Sequence, residues 1–190
     1  MRKGLFIICL LQFNFHLASA QKSEKTYRFH SINSLALVNG NNAVSAGLQS
    51  VNGFQKKNWF VGVGAGLDYY LYRTVPVFAD VRYSFGKKKN KPFAFVDAGV
   101  NIEWVETGYN GRVIIWDGNS SSKYKGGLYS DIGFGYNIKM KNNALVISLS
   151  HSHKSLEETI TSTDWRTNQT QTDFNEYKLN RILIKVGWQF

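Results

Sequence analysis

The sequence predicts an all-β protein, a single eight-stranded antiparallel up-and-down barrel that crosses a membrane. Three observations predict it. Apolar and polar residues alternate with period two along eight separate segments. Beyond residue 20 no stretch reaches the ~18 apolar residues of a membrane helix, and no long helical periodicity appears. The chain also closes on EYKLNRILIKVGWQF, an alternating strand with a phenylalanine in its last position, where chain ends are ordinarily frayed and polar.

The first twenty residues stand apart. Arg2 and Lys3 precede an apolar run from Leu5 to Leu11, and Ala18-Ser19-Ala20 follows. A basic start, a short apolar core and an A-x-A site describe a secretory signal peptide. The expected organisation is therefore residues 1–20 as signal peptide, cleaved after Ala20, and residues 21–190 as one barrel domain. The only cysteine, Cys9, falls inside the leader, so the mature barrel closes without disulfides. The 23 basic residues exceed the 13 acidic ones, for a net charge of +10. The lysines sit in short runs (QKKN, GKKKNKP, KMKNN) and not along a helix or arm. In an exported protein such runs read as solvated turns able to touch anionic headgroups, and nucleic acid is excluded as a partner.

The strands follow in order. The first spans about Tyr27 to Val38 and turns at Asn39-Gly40-Asn41-Asn42, a strong hairpin signal. The second, Ala43 to Phe54, alternates least. The third, Trp59 to Tyr72, sets Val61, Val63, Ala65 and Leu67 against Phe60, Gly62, Gly64, Gly66 and Asp68. The fourth, Val77 to Phe85, sets Val77, Ala79 and Val81 against Phe78, Asp80 and Arg82. The fifth, Phe93 to Val105, sets Val96, Val100 and Ile102 against Phe95, Asp97, Asn101 and Glu103. In the sixth, Tyr124 to Ile138, Leu128, Ile132 and Phe134 oppose Tyr129, Asp131 and Gly133. The seventh runs from Ala144 to about Ser155, and the eighth carries Ile182, Ile184, Val186 and Trp188 opposite Arg181 and Lys185.

Alternation alone suits a soluble ligand-binding barrel as well as a membrane barrel, because only inside and outside are exchanged. Three features favour the membrane. Aromatics gather at the two ends of the strands, with Trp59, Tyr83, Phe85, Phe93, Tyr136, Trp188 and Phe190 at one end. Tyr69, Tyr70, Tyr72, Trp104, Tyr124 and Tyr177 lie at the other, as interfacial girdles require. The polar face carries glycine and both signs of charge, which suits a narrow lumen. Asp68, Asp80, Arg82, Asp97, Glu103, Asp131, Arg181 and Lys185 are the expected lumen charge network. Finally, the connection at 139–143 is short, whereas 105–123 and 156–175 are long, as in barrels with short turns at one rim and longer loops at the other.

With these features the chain resembles the small outer-membrane β-barrels of Gram-negative bacteria, the OmpA/OmpX-type group. Its Asn- and Lys-rich composition and Gln21 after the leader resemble the Bacteroidetes versions. The resemblance implies residence in the outer membrane, contact with its lipid and lipopolysaccharide, and recognition of the terminal Trp188 and Phe190 by the barrel-assembly machinery.

Chemistry-bearing motifs are few. GVGAG at Gly62 to Gly66 lies within a strand and opens no helix, so it is no dinucleotide loop. In SHSHKS, His151 and His153 share a strand face, but no third metal ligand accompanies them. His153 and Ser155, with Glu157 beyond, also resemble the His-x-Ser arrangement of outer-membrane lipid A deacylases, although no Asn follows Ser155. The apolar run Val113-Ile114-Ile115-Trp116 reads as a strand extension or a contact surface. No cofactor is implied. The leading functional reading is a structural, interaction or minor channel barrel; a lipid A hydrolase and a soluble exported binding barrel are the alternatives.

The terminal strand gives a direct test. Deleting Phe190, or replacing it with a charged residue, is expected to reduce folded barrel in the outer membrane while leaving export and leader cleavage intact. Unchanged amounts of the heat-modifiable folded form on gels would contradict this.

Overall fold

The computed structural model describes residues 27–40, 43–104, 119–163 and 167–190. The leader with Ala18 and Ala20, and the run at 113–116, lie outside the described residues. Eight strands form one closed antiparallel barrel in sequence order: β1 (Arg28–Gly40), β2 (Val44–Lys56), β3 (Trp59–Asp68), β4 (Thr74–Ser84), β5 (Lys91–Glu103), β6 (Asn119–Lys139), β7 (Ala144–Thr163) and β8 (Thr170–Gln189). Closure joins β8 to β1 over the pairs Ile32↔Gln189 to Gly40↔Arg181. Past the last pair, the Phe190 N–H donates to the Ser31 carbonyl at 2.9 Å. The final residue is thus part of the seam, which leaves no sheet edge along the barrel wall.

The faces are those of a membrane barrel. Leu35, Leu37, Val61, Val63, Val96, Val100, Leu128, Ile132, Phe134, Ile182 and Ile184 all point outward and are exposed. Asp80, Asp97, Asp131, Arg181 and Lys185 are inside and almost completely buried. A soluble barrel would need the reverse, since a continuous belt of exposed aliphatics is untenable in water. The aromatic bands hold in part. Trp59 stacks on Tyr83 with centroids 4.8 Å apart, and Tyr83 meets Phe85 at 5.0 Å, both on the rim near Phe190. Phe93 and Tyr70, by contrast, are buried in the interior and belong to no girdle. Aromatic identity signals an interface, but only strand phase signals direction.

The lumen is not purely polar. Ile32, Val51, Phe60, Phe78, Phe93, Phe95, Tyr129 and Val146 form a buried cluster across it. Two glycines make room for this filling: a Cβ on Gly64 would lie 2.5 Å from the Phe78 ring, and one on Gly135 2.6 Å from the Phe93 ring. At the end away from Phe190, the connection 69–73, with Leu71 at φ 62°, turns Tyr70 inward to plug the opening while Tyr69 and Leu71 stay exposed. Tyr70 packs with Ala36, Val38 and Leu183 and lies so close to Gly40 that no side chain fits there.

Three strands outgrow the rest. β6, β7 and β8 have 21, 20 and 20 residues, about twice the 9–11 that cross a bilayer. The connection expected over 156–175 is therefore mostly strand, since β7 and β8 pair as far as Thr163↔Thr170. The outward face changes character along this extension. Aliphatic up to Leu128 and Ile182, it becomes ionic beyond, with Lys125–Glu157 at 3.0 Å and Lys178–Glu176 at 3.2 Å. Beyond β1, which stops at Gly40, residues 170–180 of β8 have no strand partner on that side among the described residues. The three strands form a polar blade standing beyond the apolar belt.

Height along one face should therefore govern tolerance to charge. Val100→Arg and Ile184→Arg, in the belt, are expected to lose about 2–4 kcal/mol of folding free energy in lipid vesicles. Phe174→Arg, in the same outward phase but on the blade and 80% exposed, should fold like the parent in urea titrations.

Candidate functional site: the lumen charge network

Four of the interior charges share one register row. Asp80 pairs with Asp97 across β4 and β5, Asp97 with Asp131, Asp131 with Ser152, and Ser152 with Arg181. Three aspartates thus stand side by side, and their neutralisation has to come from elsewhere. Arg82, two residues along β4, donates through Nε and Nη2 to the Asp80 carboxylate at 2.7–2.9 Å. Its guanidinium is caged by the rings of Phe60, Phe93 and Phe95, at 5.4 to 5.7 Å. Lys185 reaches from β8 across the lumen, with Nζ 2.6 Å from Asp131 and 3.8 Å from Asp97. It also lies 4.8 Å from the Phe95 centroid.

A second group sits under the Tyr70 plug. Asp68 accepts from Arg181 and lies 3.2 Å from Lys154 Nζ. Arg181 also donates to Ser152 Oγ at 2.9 Å, and its guanidinium faces the Tyr70 ring at 5.7 Å. Lys154 donates to the Tyr70 carbonyl and to Thr74 Oγ1, both at 3.1 Å. The Asp68 carboxylate returns a contact to the same segment, accepting the Tyr70 N–H at 2.8 Å. Charge and plug are thus one assembly: the connection 69–73 supplies the backbone oxygens that complete the Lys154 ammonium.

Lys154 is the residue that sequence reasoning missed. It is fully buried, yet the stretch beyond Ser150 reads as polar on both faces. The signal was available in the phase, because Ser148, Ser150, Ser152 and Lys154 continue one face of β7. Glu103 differs in the other direction. It is exposed at the end of β5, where its carboxylate accepts the Gly126 N–H at 2.9 Å, and it does not join the network. It keeps the inward phase but stands above the closed part of the barrel.

The two groups are not individually neutral. Asp80, Asp97 and Asp131 share Arg82 and Lys185, while Asp68 faces both Lys154 and Arg181. Asp97 is the least served, with a single cation at 3.8 Å and an Oδ1 that has no hydrogen-bond partner.

His153 and Ser155 do share the outward face of β7, near the upper limit of the apolar belt. Each is engaged separately. His153 Nδ1 lies 2.9 Å from Asn180 Oδ1, and Ser155 Oγ accepts the Leu128 N–H at 2.8 Å. That second contact stitches the irregular pairing between Gly126 and Tyr129, where the β6 ladder shifts register. Glu157 is paired with Lys125. Among the described contacts no hydrogen bond links His153, Ser155 and Glu157, so the geometry needed to activate a serine is not assembled. Among the described residues no three His, Cys, Asp or Glu side chains gather to hold a metal ion. On the inner side of the blade, Tyr177 donates to Glu158 at 2.7 Å, and the rings of Tyr72, Tyr124 and Tyr177 meet at 4.7 and 5.9 Å. The hydrogen bond to Glu158 raises the Tyr177 phenol above its ordinary range, and burial raises Tyr124.

The asymmetric charge groups rank the carboxylates. Asp131→Asn, which leaves Lys185 with one distant partner, should cost about 3–5 kcal/mol. Asp97→Asn should cost clearly less, since it removes the carboxylate in excess. Urea unfolding in vesicles would read the order, and equal losses would contradict the ranking.

No family model matches the chain, and no curated protein matches it. Solved structures of similar fold exist. The chain is similar to the outer membrane protein AlkL in lipid bilayers, with 12% identity, 91% of this chain and 93% of that one covered, and a TM-score of 0.51. It is also similar to the outer membrane protein OprG from Pseudomonas aeruginosa, with 10% identity, coverage of 85% and 94%, and a TM-score of 0.52. At such identities the likeness is one of fold: a closed eight-stranded barrel of the outer-membrane kind.

Proposed function

We propose that the chain is an exported outer-membrane barrel whose role is structural and interactional, with a lumen that does not conduct. One observation carries the reading. Between the Tyr70 plug and the aromatic cluster, the cavity beside Arg82 and Lys185 has a volume of about 10 Å³. That is about one water in size, too small for a continuous aqueous path. The fold likeness to AlkL and OprG supports the compartment. The leader at 1–20 would direct export, and the barrel-assembly machinery would read Trp188 and Phe190. The rim of short turns would then face the periplasm, and the blade of β6, β7 and β8 would stand outside the cell, above lipid and lipopolysaccharide. Its β8 edge, which has no strand partner among the described residues, and its ionic outer face suit contact with another macromolecule better than passage of a solute. A hydrolytic role at His153 and Ser155 is disfavoured by their separate engagements.

Two measurements test this. Fractionation should place the mature protein in the outer membrane, with a heat-dependent mobility shift. Planar bilayers containing the folded parent should show no current above background. Recovery from the soluble periplasm would overturn the compartment, and reproducible open-channel steps would overturn the closed lumen.

A further inference from the structure

The rim near Phe190 opens into a recess of about 530 Å³. Its walls are strongly one-signed. Arg28 of β1, Lys57 of the β2–β3 turn, the Lys87-Lys88-Lys89 run, Lys91 of β5 and Lys139 of β6 all line it, and no aspartate or glutamate does. The lumen aspartates are deeper and already matched to Arg82, Lys154, Arg181 and Lys185. None of the seven recess cations makes an ion pair with a described residue. His30, at the same rim, contacts the Phe190 carbonyl oxygen at 3.0 Å.

Three properties define what fits. Cations converging from five segments around a concave, low-dielectric wall focus a positive field that solvated turns on a convex surface would dissipate. Between them stand the amide side chains of Gln55, Asn137 and Asn142, which add neutral donors. The volume lies within the range of small-ligand sites, about 300–1,000 Å³, and is too small for a folded partner. No Phe, Tyr or Trp lines the recess, and its one ring, His30, is held at the Phe190 carbonyl oxygen. Lysine ammonium groups bind phosphate as mobile point charges. We infer that this recess is a binding site for a compact anion carrying several phosphate groups. Two sources share that chemistry: a phosphorylated headgroup of the adjoining leaflet, or a soluble phosphorylated molecule on that side of the membrane. The inference does not rest on the orientation proposed above, because binding can be measured without a membrane.

The test uses the folded full barrel in zwitterionic micelles, titrated calorimetrically with inorganic tripolyphosphate. Saturable one-to-one binding that weakens as salt rises is expected. The triple variant Lys88→Glu/Lys89→Glu/Lys91→Glu should weaken it by at least about tenfold. The double variant Lys125→Glu/Lys178→Glu, at the opposite end, should bind like the parent. Retention of the heat-dependent mobility shift verifies folding of both. Nanodiscs then separate the sources. Phosphatidylglycerol discs that suppress tripolyphosphate binding relative to phosphatidylcholine discs identify a headgroup, and equal binding in both identifies a soluble phosphate. Absence of saturable binding, or equal loss in the two variants, would overturn the site.

Discussion

The fold depends on charge pairing within an interior too narrow for bulk water. Eight strands close a barrel only just wide enough for side chains, and period-two alternation sends Asp68, Asp80, Arg82, Asp97, Asp131, Lys154, Arg181 and Lys185 into that space. An unpaired carboxylate or ammonium there is prohibitively costly. The partners must therefore come from across the barrel. Lys185 of β8 meets Asp131 of β6, and Arg181 of β8 meets Asp68 of β3. Each of these contacts ties together strands that are not hydrogen-bonded neighbours, so the network holds the shape of the cylinder as well as neutralising it.

The aromatic cluster answers the same constraint by another route. Phe60, Phe93 and Phe95 surround Arg82, and Phe78 fills the space left by Gly64. Rings exclude water and present their negative faces to the cation, so the guanidinium is held by Asp80 and by π-faces together. The closed lumen thus follows from two complementary fillings, ionic in the middle and aromatic toward the Phe190 rim. Beyond this packed interior, the barrel presents two distinct ends. One is a polar blade whose β8 edge has no strand partner among the described residues, and the other is a recess lined by cations.

The blade also explains why three strands are twice as long as lipid requires. Within the belt, lipid outside and packed lumen inside impose alternation on β6, β7 and β8. Past Leu128 and Ile182 neither environment remains, and polar residues occupy both faces, as in TQTDFNEYKLN. Backbone pairing continues because β7 lies between two partners, which satisfies its N–H and C=O groups without help from the membrane.

The sequence by itself determined the strand count, the antiparallel barrel and the face each belt residue occupies. Those properties depend on alternation between two environments, which is local and legible in residues such as Val61, Asp80, Val96 and Ile184. Tertiary structure decided which charges meet and where the alternation stops mattering. Strand stagger in a closed cylinder sets cross-lumen partners, so nothing near Lys185 in the chain announces Asp131. The partners of Lys154 are Asp68, Thr74 and the Tyr70 and Tyr72 carbonyls, all around the β3–β4 connection and about eighty residues away in the chain, so nothing beside it in the sequence announces them. Glu103 has the right phase but stands above the closed interior, and height along the axis is not a property of periodicity. The same holds for the blade: once both faces are wet, a strand and a loop have the same composition, and only the pairing of its neighbours distinguishes them.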